Sequence, residues 1–551
     1  MLRKKDFEAQ KAQYGHLATA YDAMQNVMAW NVFYEANGDR AIASVSRMWN
    51  EAWGGYIIFD WDTYFAGVMA AVDNKALAYS NAKAITDAIT TEGFVPNAEA
   101  SWGRKTHDRS QPPVGSLCVR LIYDRYKEKD LLEAVYDKLL SWNRWWPQAR
   151  EQQGFLSWGS NPTELMITPG EKGNTKHSAM LESGLDNSPL FDEAQFDTTT
   201  HLLRLASVDL ISLYIADCKE LAYLAAELGR KEDVQELLKR GEAYGKKLQE
   251  LWDEQTGIFR DLDLATGEFS THLAPTNFYP LLAGVATPEQ AQRMVKEHLM
   301  NPQEFYGEWM LPSISRRDPA FGDNSYWRGR VWAPMNFLVY LGLRQYNLPE
   351  AQRLLADRSV ALIEKGWLQG GRVFENYNSV TGEGDDVRNS DPFYSWGGLL
   401  GLIGLMEYGY WFEEKKWRKE ENDTEKCDNF TGMKTKYYQF IEPEPPKAGE
   451  PLTPYAVGSS MAIRSLTRRN VADVKSLRHG MDAKAVEVVM GAFDLTQQQM
   501  ADTLHTNAKT LRKHLKERSP VDPLQGSLVM ALAELFQKGV EVFLYKDAFL
   551  Q

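Results

Sequence analysis

The sequence predicts an all-α protein, an (α/α)6 barrel followed by a small helical domain with a helix-turn-helix. Three observations support this fold class. About twelve amphipathic patterns, with apolar residues at i, i+3 and i+4, run through residue 412. Polar, aromatic loops alternate with them, and every second loop or so is rich in Trp, Arg and carboxylates. No alternation of strands with helices interrupts the series. Helices paired as hairpins close into a ring whose loops and helix N-termini gather at one end. An all-helical solenoid is the competing arrangement.

Composition narrows the field. A chain of 551 residues has room for more than one domain. Its 12% aromatic content, with 17 Trp, is the main departure from an ordinary soluble chain. Flat indoles suit the apolar faces of sugar rings, and equally fill a large helical core. A net charge of −13 weighs against nucleic-acid binding by the chain as a whole, leaving only a local basic patch open. Cys118, Cys218 and Cys427 form no CxxC pair, which fits a reducing compartment and no metal site. No cofactor is expected. The opening segment reads as a polar helix rather than a signal peptide. With no apolar run of about 18 residues, no membrane span is expected, and the expected location is cytoplasmic.

In chain order, residues 5–38 read as one helix through Ala20, Met24, Val27, Met28 and Val32. Trp61 and Asp62 stand at the mouth of a helix from Thr63 to about Ala78, where Asp62 either caps the helix or faces a ligand. A loop over 93–113 carries Asn97, Trp102, Arg104, His107, Arg109 and Gln111. Pro112-Pro113 ends it and lets a helix start near Val114. Helices follow at 114–127 and 130–150, then a loop over 155–162. The next stretch, Glu182-Ser-Gly-Leu-Asp186-Asn-Ser-Pro189, is too polar for either neighbouring helix. Gly184 permits positive φ, and Pro189 turns Ser188 away from helix. This loop presents an acid in a shaped backbone, or is a plain turn with a capping Asp. Helices at 209–229, 232–253, 274–283, 287–299, 333–345, 349–365 and 393–411 complete the series.

Two carboxylates on separate loops can divide acid–base work. Asp186 is one. Glu375 is a better second than Glu383, Asp385 or Asp386, because Phe374 and Tyr377 dry its surroundings. The other three lie in a Gly-rich turn that solvates them. Glycoside hydrolysis needs such a pair: one carboxyl protonates the leaving oxygen and, in inverting enzymes, the other activates water roughly 6.5–9.5 Å away. Residues 1–412 hold no Cys/His dyad, GxSxG elbow or phosphate-cradling glycine loop.

The motifs FDWDTYF (59–65), GFVPN (93–97), RSQPP (109–113), ESGLDNSP (182–189), YWRGRVWAPMN (326–336), FENYN (374–378) and PFYSWGGLLGL (392–402) follow one another in this order. In that order the chain resembles glycoside hydrolase family 63, the processing α-glucosidases and their bacterial mannosylglycerate- and glucosylglycerate-hydrolysing relatives. It is more distantly similar to family 37 trehalases. The resemblance implies an (α/α)6 barrel and inverting, exo-acting cleavage of α-glucosidic bonds. Asp186 would be general acid and Glu375 general base, with Trp61 and Asp62 in the sugar pocket. The looser trehalase match adds Asn97, Arg109 and Gln111. Trp327, Arg328, Trp332 and Trp396 are pocket walls or core packing. No counterpart of the β-sandwich domain that the eukaryotic processing enzymes carry ahead of the barrel is expected. That favours a small carbohydrate substrate, a disaccharide or glycosylated solute, over an N-glycan. Arg104, His107, Arg328 and Arg330 either face a carboxylate such as glycerate or lie on the surface.

The expected division is a catalytic domain over 1–412, a charged, Pro-rich linker over 413–452, and a helical domain over 453–551. Within the last, Asp494–Leu504, a turn at His505–Asn507 and Ala508–Leu515 read as a helix-turn-helix. Leu495, Met500, Ala501, Leu504, Leu511 and Leu515 form its core, and Lys509, Arg512, Lys513 and Lys516 a basic face. This part resembles the Xre/MbcA/ParS-type antitoxin domains, which implies DNA or a toxin as partner. The alternative to an enzyme is a sugar-binding or regulatory protein that uses this module.

Overall fold

The computed structural model describes residues 2–411, except 37, 102, 169 and 347, and, further on, residues 486, 490, 496–504 and 508–517. The chain divides into two compact units, Met1–Trp411 and Phe412–Gln551.

In the first unit six helices form a closed inner ring. Asp60–Ala70 packs on Gly115–Tyr126, which packs on Val208–Glu227. The ring continues through Tyr279–Leu282, Ala333–Leu343 and Leu399–Glu407, and the last returns to Asp60–Ala70. Every residue of Asp60–Ala70 and of Ala333–Leu343 is buried. A helix apolar all round can be stable only when enclosed on all sides. The outer helices Ala18–Asn31, Lys75–Asp87, Lys129–Arg150, Lys231–Gln249 and Pro349–Gly370 pack on this ring, and Pro288–Arg293 follows Tyr279–Leu282 as the remaining partner in chain order. They are one-faced: Lys231–Gln249 buries only Leu237, Gly241, Tyr244 and Leu248, a stripe at helical spacing. This is the (α/α)6 barrel. Strands occur only as short two-stranded ribbons among the described residues.

Two expectations are corrected. The single helix over 5–38 is instead Leu2–Ala12, a short 3-10 turn and Ala18–Asn31, followed by an antiparallel hairpin, Val32–Glu35 with Arg40–Ala43. The reason is local: aromatic and β-branched residues lie on both sides of a Gly-containing loop between Glu35 and Arg40, a hairpin signal. The helix expected to run from Thr63 to Ala78 breaks after Ala70. Asn74 then caps a new helix, Lys75–Asp87, its side chain accepting from the Leu77 amide at 3.0 Å.

The loops entering the inner helices are held by one buried ion pair. Arg150 ends Lys129–Arg150 and Glu182 ends the short helix Lys176–Glu182; both are fully buried. Arg150 Nε donates to Glu182 Oε2 at 2.7 Å and its Nη2 to Oε1 at 2.8 Å. The same carboxylate accepts the amides of Ser110 at 2.9 Å and Gly159 at 2.7 Å. Three segments distant in sequence are thereby fastened together, directly before the Ser183–Pro189 loop.

In the second unit, Gln497–Thr503 and Ala508–Glu517 pack on each other. Met500, Ala501, Leu504 and Leu511 are buried, while Lys509, Arg512, Lys513 and Lys516 are exposed. The 413–452 linker, Leu495, Cys427 and the 505–507 turn lie outside the described residues. No helix among the described residues is long and apolar enough to cross a membrane.

Removing one partner of the buried pair leaves the other charge uncompensated. Glu182→Ala is expected to cost about 3–5 kcal/mol, measured by urea unfolding; a loss below about 1 kcal/mol would mean the pair does not hold these loops.

Candidate active site

Each sequence-predicted site residue from the first unit sits on a loop entering an inner helix or in that helix's first turn. The structure brings most of them to one cavity of about 250 Å³. Trp61, Asp62, Asn97, Arg109, Gln111, Asp186, Trp327 and Trp396 border it. So do Tyr326, Tyr394, Trp49, Trp53, Glu171 and His177, none of which was singled out from the sequence. Tyr326 and Tyr394 lie inside motifs that were, beside a Trp and a Ser-Trp pair. Glu171, in a polar loop, carries no local signal that separates it from a solvated acid.

Asp62 is in the first turn of Asp60–Ala70 and accepts a hydrogen bond from the Tyr394 hydroxyl at 2.9 Å. Asp186 is held at the cavity by its backbone. Gly184 has φ +72°, and a Cβ there would lie 2.7 Å from Trp61 Cζ2, so the turn needs glycine for both reasons. Asp186 is half-buried and borders the cavity. Burial raises its pKa to about 7, against the pull of the Arg109 guanidinium. Arg109 Nη1 meets Asp108 at 3.0 Å and Glu171 at 3.1 Å, while its Nε is buried without a protein partner. Burial likewise raises Asp62 to about 8, against the Tyr394 hydrogen bond.

Glu375 does not border the cavity; it stands one hydrogen bond behind the wall. The Tyr326 hydroxyl donates to its Oε1 at 2.9 Å and the Asp391 amide to its Oε2 at 3.2 Å. Trp396 Nε1 donates to the Glu375 carbonyl at 2.9 Å. Burial raises the Glu375 carboxyl to about 8 despite those donors. Trp332 is also behind the wall, stacked on Trp327 with ring centroids 3.7 Å apart and planes 9° apart. Its own Nε1 donates to the Tyr326 carbonyl at 3.0 Å. Arg328 points elsewhere, donating to Asp323 at 2.6 Å and Asp192 at 2.9 Å, so it ties loops together. Arg330 is buried and paired with Asp386 at 2.8 Å. Neither arginine, nor Arg104 or His107, faces a ligand in this cavity.

A larger cavity, about 730 Å³, lies against Glu193, Arg260, His272, His298, Glu304 and Asp318. Both nitrogens of both histidines there are engaged: His272 with Asp318 and Glu193, His298 with Glu304 and the Thr256 carbonyl. The smaller cavity is the candidate active site, because there carboxyls with displaced pKa values meet aromatic walls.

The family model for the mannosylglycerate hydrolase MGH1-like glycoside hydrolase domain matches residues 55–397. Mannosylglycerate hydrolase MGH1 of Selaginella moellendorffii is 26% identical over 439 residues, 64% of this chain and 83% of that protein. A mannosylglycerate hydrolase of Thermus thermophilus is 28% identical over 365 residues, 55% and 80% of the two chains. In structure, the chain matches a family 63 mannosylglycerate hydrolase of Thermus thermophilus solved with Tris and D-glycerate. The TM-score is 0.55 at 20% identity, over 70% of this chain and 98% of that one. The inner ring, the carboxyl-lined cavity and the family match converge: this chain belongs to the MGH1-like glycoside hydrolases of family 63 and is a glycoside hydrolase.

Proposed function

We propose that the chain is an inverting, exo-acting hydrolase that removes one terminal α-linked glucosyl or mannosyl unit from a small glycosylated solute. One observation carries this reading. Asp186 borders the same cavity as Tyr326, the phenol that hydrogen-bonds Glu375. In the proposed reaction Asp186 gives its proton to the glycosidic oxygen as the anomeric C–O bond breaks. Glu375, one hydrogen bond behind the wall, takes up the proton of the water that attacks the opposite face through the Tyr326 phenol, which accepts the water's proton as it passes its own to Glu375. The raised pKa of Asp186 suits an acid that must stay protonated near neutral pH. Asp62, Asn97, Gln111 and the unpaired Arg109 Nε would hold sugar hydroxyls, with Trp61, Trp327 and Trp396 against the ring's apolar face.

For the second unit, the exposed row Lys509, Arg512, Lys513 and Lys516 favours a phosphate-contacting face. This supports DNA over a toxin as the partner of the Ala508–Glu517 helix. Its affinity should fall steeply with salt and on Arg512→Ala; a gel shift indifferent to both would exclude it.

Asp186→Asn and Glu375→Gln should each lower kcat by roughly 10²–10⁴-fold, with unchanged circular dichroism, on a panel of α-glucosides, α-mannosides and their glycerates. Substantial residual turnover would remove the roles. Proton NMR of the first product should show the β-anomer. Turnover needs Glu375 ionised and Asp186 protonated. With Asp186 titrating at about 7 and Glu375 at about 8, kcat/KM should rise to about pH 7, level, and fall above about 8. An optimum near pH 5 would contradict these carboxyl environments.

A further inference from the structure

We propose that Asn187 is a positioning residue that connects the loop of the acid to the support of the base. The inference rests on the roles proposed for Asp186 and Glu375, and concerns a side chain that touches neither carboxyl.

Tyr326 has φ +57°, a left-handed backbone that a bulky L-residue rarely adopts. Something must hold it there, and two restraints do. Ser325 and Arg328 pair across the turn, with N–O distances of 3.2 and 3.1 Å. The Asn187 amide then clasps the peptide groups on either side of Tyr326. Its Nδ2 donates to the Ser325 carbonyl at 3.2 Å, and its Oδ1 accepts the Trp327 amide at 2.9 Å. One group must be donor and acceptor at once, which a carboxylate or an aliphatic side chain cannot be.

The clasp sits between two functions. Asn187 follows Asp186 directly in the chain. Tyr326 sends its hydroxyl to Glu375 Oε1 at 2.9 Å, and Trp327 forms part of the cavity wall. A displacement of Tyr326 out of its left-handed conformation would carry the phenol off the base. The remaining ties between these loops do not bracket Tyr326: Arg328 Nη1 donates to the Asn187 carbonyl at 3.4 Å and to Asp192 at 2.9 Å, and His272 sits between Glu193 and Asp318.

The phenol stabilises the ionised form of Glu375, so its loss raises that carboxyl further. The other titratable groups facing Glu375 are Asp391, Asp62 and Tyr394, none of which contacts Asn187. Because the base titrates above the acid, the alkaline limb of the rate profile follows Glu375.

The test compares the full-length wild type with Asn187→Ala, Tyr326→Phe and the double variant. It uses any substrate of the panel that the wild type cleaves. Asn187→Ala should lower kcat about 10- to 100-fold with KM within about threefold, the scale of a displaced hydrogen-bonding partner. The alkaline limb should move up in both single variants. The double variant should be no slower than the slower single, because both remove the same contact. Losses that multiply, or a limb that stays in place, would overturn the proposal. Should Asn187→Ala fail to fold, Asn187→Leu keeps the volume without donor, acceptor or charge, and the same limb shift is required of it. A turnover-independent readout separates this inference from the enzymatic one. In carboxyl-13C glutamate-labelled protein, the signal missing from Glu375→Gln should titrate higher in Asn187→Ala than in wild type. An inactive wild type would defeat the proposed reaction, while an unmoved titration would defeat the role of Asn187.

Discussion

The Arg150–Glu182 pair is the constraint on which the geometry of this cavity depends. Two full charges removed from water are stable only when every lone pair and proton is used. Here Glu182 uses both oxygens on Arg150 and on the amides of Ser110 and Gly159. The reward is positional rather than energetic. The end of one outer helix, the loop with Arg109 and Gln111, and the loop with Asp186 are fastened at a single point. Asp186 follows Glu182 by one short turn, so its placement is inherited from that anchor through Gly184.

The aromatic packing around the cavity has an electrostatic consequence. Trp61, Trp327, Trp332 and Trp396 form a contiguous cluster, each within about 6.5 Å of another ring centroid. Asp62 and Glu375 are buried, Asp186 is half-buried at the cavity, and all three titrate higher than free carboxylates because burial disfavours their charged forms. Their donors differ, which separates their behaviour: a guanidinium near Asp186, phenols on Asp62 and Glu375. An active site that must hold one proton and surrender another is built from such graded environments. The cost appears as polar groups that a purely structural core would avoid, such as the left-handed Tyr326 and the unpartnered Arg109 Nε.

Much of the barrel was legible from periodicity, since its long helices bury stripes or whole surfaces. Gly115–Tyr126, Lys129–Arg150 and Val208–Glu227 fall within a few residues of their expected bounds. The failures were also local. The apolar spacing over 5–38 reads straight through the hairpin that begins at Val32, and the break at 71–74 is hidden by apolar residues on both sides. At the cavity, Asp62 and Asp186 stand out by their local backbone signals, a helix mouth and a Gly-Pro-shaped loop, whereas Asn97, Arg109 and Gln111 come only from the looser trehalase resemblance. Tyr394 and Glu171 do not stand out, because their relevance lies in the partner each meets.

By itself the sequence determined which segments are helices, which turn requires glycine, and to which family the ordered motifs belong. Those properties depend on neighbours a few residues away, and the chain carries them in any conformation. Only the tertiary structure decided that Trp332 stands behind Trp327, that Arg328 ties loops rather than facing a ligand, and that Tyr326 joins Glu375 to the cavity wall. Closing the ring sets those relations, because it brings residues far apart in sequence within one hydrogen bond of each other. No local pattern encodes that distance.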